Sequence, residues 1–162
     1  MIALVVTATG LLGVAKIQAA AIANTKISGS RALIALQTGS LVSAMHANPG
    51  FWAAGAAPIS WTVSKSAAPS NAGLAADVSA LGGCIAVTCT PVQLAAVDVQ
   101  EWASSMATQF PTYKAQVDCP TPVAPLPVSC TVFVKWDEKA IAISKSTTGG
   151  DSVESFSVHL QP

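Results

Sequence analysis

Charge is scarce in this sequence. Only 10% of its 162 residues are Asp, Glu, Lys or Arg, against roughly a quarter in an ordinary soluble domain. Eight basic residues balance eight acidic ones. There is therefore no surplus of positive charge to hold a phosphate backbone and no polybasic patch for a lipid headgroup layer. Direct binding of nucleic acid is not expected. Histidine is rarer still, with His46 and His159 alone. The first falls near the end of a helical pattern, where it complements the helix dipole, and the second alternates outward along a terminal strand. Serine is plentiful but occurs in neither a GxSxG nor an SxxK arrangement, so a Ser/His/Asp site lacks its parts. The pairs Gly82-Gly83 and Gly149-Gly150 are not followed by Lys-Ser/Thr and read as turns rather than phosphate cradles. Asp98 and Glu101, one helical turn apart, come nearest to an acid/base pair. They are read as a structural anchor, accepting backbone N–H groups of an adjoining loop, and a solvated side chain. The chain is not expected to be an enzyme or to hold a metal or cofactor.

The four cysteines, Cys84, Cys89, Cys119 and Cys130, all fall in the second half. CIAVTC is a CxxxxC spacing without a neighbouring His, which does not suit zinc. Disulfides formed outside the cytosol are the simpler reading. Of the three possible pairings, Cys84–Cys89 with Cys119–Cys130 is favoured, because each bond closes a short local loop.

Apolar residues, by contrast, make up 51% of the chain and mean hydropathy is +0.53, so disorder throughout is excluded. The first fifteen residues, MIALVVTATGLLGVA, carry no charged side chain, and Lys16 is the first. As a helix they extend about 22 Å, short of the roughly 30 Å hydrocarbon core. No basic segment precedes the run and no cleavage site interrupts it, because the helical pattern continues. The expectation is a membrane-inserting helix that lacks its own beginning, and no later segment is apolar enough to span a bilayer. Val6, Gly13, Ala20, Ile27, Ile34 and Leu41 recur every seven residues along it. Asn48-Pro49-Gly50 is expected to stop the helix and turn the chain. About 48 residues make a helix of about 72 Å, whereas the remaining residues form a globule with a radius of gyration of only about 13 Å. The first half of the helix is therefore expected to project.

Residues 53 to 83 read as an irregular connection with one short strand at Ser60–Ser64. A second helix is signalled by Thr90 as N-cap, Pro91 in the first position and Gln93 completing a capping box. Leu94, Trp102, Met106 and Phe110 follow at helical spacing, and Pro111 ends the run. Lys114–Cys119 reads as a strand. Val128, Cys130, Val132, Val134 and Trp136 alternate with more polar residues, the period of another. Asp137-Glu138-Lys139 is expected to turn the chain into a strand at Ala140–Ser146, and Thr147–Asp151 to turn it into Ser152–Leu160. The layout is α+β: one very long helix, one short helix and a terminal antiparallel β-meander. Trp102 and Trp136 are its expected structural anchors, with Asp98.

Four blocks, in order, resemble the type IV pilins, and more narrowly the PilV-like minor pilins, the type IV pilus modification proteins. ALVVTATGLLGVAKIQ is similar to the early pilin helix. SAMHANPGFW is similar to the end of that helix, CTPVQLAAVDVQEW to a stretch following a cysteine, and VFVKW to a strand with a late Trp. The resemblance omits mainly residues 53 to 82. It implies a pilin-like fold in which residues 1–25 form a projecting transmembrane half-helix and residues 26–162 a periplasmic globular domain. It also implies a place first in the inner membrane and then in the pilus at the cell surface. Implied partners are other minor and major pilins, the assembly machinery of the inner membrane, and lipid before assembly. The implied function is to prime or cap the filament and so support adhesion and twitching motility. Val6, Leu11, Leu12, Val14 and Ile17 would line the helical bundle of the filament. The family's basic leader, cleavage-site Gly and early Glu are not among these residues, so a start at an internal Met or a trimmed chain is expected. A pseudopilin of a type II secretion system shares the same plan and is the alternative. A membrane-anchored extracytoplasmic enzyme is a remote third.

Overall fold

The computed structural model describes residues 2–85, 87–121, 126–139 and 151–162. Its first element, α1, runs unbroken over Ile2–Ala47. No proline falls within it, and a Cβ added at Gly10, Gly13, Gly29 or Gly39 would meet nothing within 4 Å, so these glycines cost helix propensity without distorting the helix. The helix ends one residue before Asn48, as the following proline demands. The chain does not then turn through Gly50. It enters a single helical turn, α2 (Pro49–Trp52), because Pro49 is well placed at a helix start and Phe51 and Trp52 are both drawn into the core. The buried Asn48 side chain donates to the carbonyl of Pro91 at 2.7 Å.

Two compact units divide the chain: the segment up to Leu33 with Glu138–Ser152, and Ile34–Asp137 with Val153–Pro162. Along α1 the division falls at Leu33/Ile34. In the second unit the buried positions of α1 are Ile34, Thr38, Leu41 and Met45, the three- and four-residue spacing of one helix face. Of the seven-residue stripe, only Ile34 and Leu41 are fully buried, while Val6 is 64% exposed.

The second helix, α3 (Pro91–Gln109), begins as its sequence signals. The Thr90 hydroxyl accepts from the Gln93 N–H at 3.3 Å and the Gln93 side chain accepts from the Thr90 N–H at 2.9 Å. Ala95, Val99, Trp102 and Met106 form its inner face. A 3-10 segment at Ser79–Cys84, not anticipated from the sequence, carries Gly82 and Gly83 in the left-handed region at φ 53° and 66°, which glycine adopts without penalty.

The sheet has four antiparallel strands in the order β1 (Ser60–Ser64), β2 (Lys114–Asp118), β3 (Cys130–Lys139) and β4 (Asp151–Leu160). β1 pairs with β2 through Trp61↔Val117 and Val63↔Ala115, and β2 with β3 through Val117↔Val132 and Ala115↔Val134. These residues alternate inward and are buried with Trp136 and Leu160. The expected turn at Asp137-Glu138-Lys139 is not there: β3 continues to Lys139. Strand alternation carries Glu138 inward after Trp136, and its carboxylate is accommodated because Ser30 donates to it at 3.1 Å and Arg31 at 3.0 Å. The strand expected at 140–146 and the turn residues 147–150 lie outside the described residues.

Both favoured disulfides are formed, Cys84–Cys89 and Cys119–Cys130. The second joins β3 to the residue just after β2 and is itself in the core. By chain entropy its removal costs about 3 kcal/mol, and the shorter Cys84–Cys89 loop about 2 kcal/mol. Urea unfolding in detergent micelles is expected to rank the Cys119→Ala/Cys130→Ala variant below the Cys84→Ala/Cys89→Ala variant. The reverse order would show that loop closure is not what these bonds contribute.

Candidate functional surface

The expected bundle-lining residues all present themselves to the outside in the first unit. Leu11, Leu12 and Ile17 are about 70% exposed, and Ile2, Val6, Val14 and Ile22 are exposed with them. A monomeric soluble protein does not ordinarily leave such a contiguous apolar surface uncovered. The hydroxyls within this stretch are satisfied locally: Thr7 donates to the Ala3 carbonyl at 3.0 Å and Thr9 to Val6 at 2.9 Å. Thr25, a few turns later, does the same to Ala21. Hydroxyls folded back on the helix need no water, which suits an apolar surround. Gly10 and Gly13 leave open space above the helix backbone, the condition for close approach by a partner helix. This is one helix long and apolar enough to cross a membrane. Toward the end of the unit Arg31 and Glu138 make the ion pair described above, with the Glu138 side chain only 6% exposed.

In the second unit the sequence anchors separate. Trp102 is buried, donates its indole N–H to the Gln37 carbonyl at 2.8 Å and meets Tyr113 edge-on at 6.1 Å. The Tyr113 hydroxyl donates to Ala103 at 3.1 Å, and burial pushes its pKa up to about 12. Trp136 is buried beneath the sheet. Asp98 does not behave as an anchor. It is half-buried beside Gln37, Ser40 and Glu101, and no backbone N–H or other described group donates to it. Desolvation, and then the charge of Glu101, raise its pKa. The expectation failed because α3 satisfies its own N–H groups and no loop N–H reaches the carboxylate.

A carboxyl whose folded pKa is raised favours the fold at low pH and opposes it once pH has passed that pKa. Asp98→Asn is therefore expected to stabilise the protein at pH 7, by on the order of 0.5 kcal/mol after solvent screening, with the gain vanishing near pH 3. A loss of stability at pH 7 would restore Asp98 as an anchor.

The His46 Nδ1–H donates to the Val42 carbonyl, 2.9 Å away, at the end of α1, and His159 sits on the outer sheet face with Thr131 at 2.8 Å. Among the described residues no three His, Cys, Asp or Glu side chains converge on a possible metal position. No protein family, curated protein or solved structure matches this chain.

Proposed function

We propose that this chain is a minor pilin of a type IV pilus, a structural and assembly component that primes or caps the filament. The observation that carries the reading is the division of one helix into two chemical halves. From Ile2 to Ile22 it exposes apolar side chains, while from Ile34 to Met45 one face is buried in a disulfide-stapled α+β unit. A helix of that kind can exchange a bilayer for a bundle of like helices at little cost. Lipid and bundle are similarly apolar, so packing decides the balance. The resemblance of four sequence blocks to PilV-like minor pilins points the same way. So do two disulfides, which persist in an oxidising compartment.

In this reading the protein waits in the inner membrane with its second unit in the periplasm and enters the pilus with other pilins. Adhesion and twitching motility are then supported through assembly. The test is mass spectrometry of sheared surface filaments from cells that produce the protein, with a gene-deletion strain as control. Peptides of this chain in the filament fraction, and fewer filaments on deletion, are the expected results. Normal filaments on deletion, together with lost protein secretion, would replace the reading with a type II pseudopilin.

A further inference from the structure

The outer face of the sheet holds a feature that folding does not explain. Lys114 on β2 and Lys135 on β3 are direct register partners, an arrangement of like charges that destabilises a sheet. Among the described residues neither has an ion pair within 4 Å. The second unit contains only three lysines or arginines against six carboxylates, a net charge of −3. Two of the three flank one open groove of about 340 Å³, and the third, Lys65, is on the turn beside it. The groove is otherwise lined by Thr62, Ser64, Gln116 and the half-buried Phe133. The Lys135 ammonium lies 5.1 Å from the Phe133 ring centroid. Of the acids on the same face, Asp118 is already engaged by Ser60 and Gln116, and the exposed Asp137, two residues beyond Lys135 on β3, makes no ion pair with either lysine within 4 Å.

We infer that this groove binds a carboxylated glycan, a chain of uronic-acid-like sugars, as a deepening of the pilin reading in which the second unit meets the surroundings of the cell. Each part of the lining has a matching part in that ligand. The lysine pair takes a sugar carboxylate through charge-assisted hydrogen bonds. Thr62, Ser64 and Gln116 exchange hydrogen bonds with ring hydroxyls, and Phe133 takes an apolar sugar face. A peptide would more naturally add to the sheet edge, but the edge of β1 is occupied. Ser70 donates its N–H to the Thr62 carbonyl at 2.9 Å, and Thr62 donates its own to the Ser70 hydroxyl at 3.0 Å. A nucleic acid carries a far denser charge than two lysines on a negative unit can hold. Widely spaced carboxylates on a hydroxylated chain fit best.

The full chain in detergent micelles is titrated with trigalacturonate, and separately with a neutral galactose trimer, tetraglutamate and a short single-stranded DNA. Trigalacturonate alone is expected to bind saturably, weakening with salt. Lys114→Glu/Lys135→Glu should lower the affinity about tenfold or more, and Phe133→Ala about threefold to tenfold. Tryptophan fluorescence should stay unchanged in the lysine variant, because both side chains are exposed. No binding of trigalacturonate, equal binding of the neutral trimer, or binding untouched by the lysine substitutions overturns the inference. Tighter binding of tetraglutamate or DNA overturns it in favour of a peptide or nucleic-acid partner. Filament incorporation is read separately, so a pilin without this ligand is distinguishable from a protein that is not a pilin.

Discussion

On the pilin reading proposed above, replacing Leu11 and Leu12 together by arginine is expected to remove this protein from the membrane fraction and from filaments while leaving its second unit folded. Each arginine at the centre of a membrane helix costs about 2.5–3.5 kcal/mol, so the pair costs about 6 kcal/mol, more than enough to reverse a partition that rests on side chains such as Val6, Val14 and Ile17. Neither leucine contributes to the core of the second unit, where all four tryptophans are buried. Tryptophan fluorescence therefore reports folding independently of the lesion. Leu36→Arg is the control, since Leu36 is 72% exposed but belongs to the half of α1 assigned to the second unit. It should leave fractionation nearly unchanged. Membrane retention of the Leu11→Arg/Leu12→Arg chain would mean that its exposed apolar stretch is covered by something other than lipid or a helical bundle.

The features that could be read from the sequence are those whose causes are local. Thr90, Pro91 and Gln93 fix the start of α3 within four residues, and the alternation of Val128 to Trp136 fixes the inward face of β3. Each disulfide closes a loop short enough to be favoured from spacing alone. The failures all involve distant partners. Glu138 reads as part of a charged turn because Arg31, which makes its burial tolerable, lies 107 residues away. Asp98 reads as an anchor because an acid on an apolar helix face suggests donors, and whether a donor is present is decided only by the tertiary structure. The helical turn at Pro49–Trp52 depends on the pull of Phe51 and Trp52 into a core that the local sequence does not describe. For the candidate surface, composition identified the apolar residues of α1 but not where exposure gives way to burial. The opposed lysines Lys114 and Lys135 were invisible, because strand register brings them together.

Trp102→Ala is expected to produce the largest loss of stability of any single substitution in the second unit, about 3–5 kcal/mol. Three effects coincide there. The indole is only 5% exposed and belongs to the same core cluster as Ile34, Leu41 and Met106, so truncation leaves a cavity as well as losing burial. Its N–H satisfies the Gln37 carbonyl on α1, and its ring provides the edge contact to Tyr113. Trp102→Phe retains most of the apolar volume and loses chiefly the hydrogen bond, so it should cost only about 1–2 kcal/mol. Against a typical total of about 5–15 kcal/mol, the alanine variant is left marginal and the phenylalanine variant is not. Urea unfolding followed by far-UV circular dichroism separates them. Equal losses in the two variants would assign the stabilisation to the Gln37 hydrogen bond rather than to packing. A loss below about 1 kcal/mol in Trp102→Ala would mean that α1 is held in the second unit without this residue, by Phe51, Trp52 and the sheet.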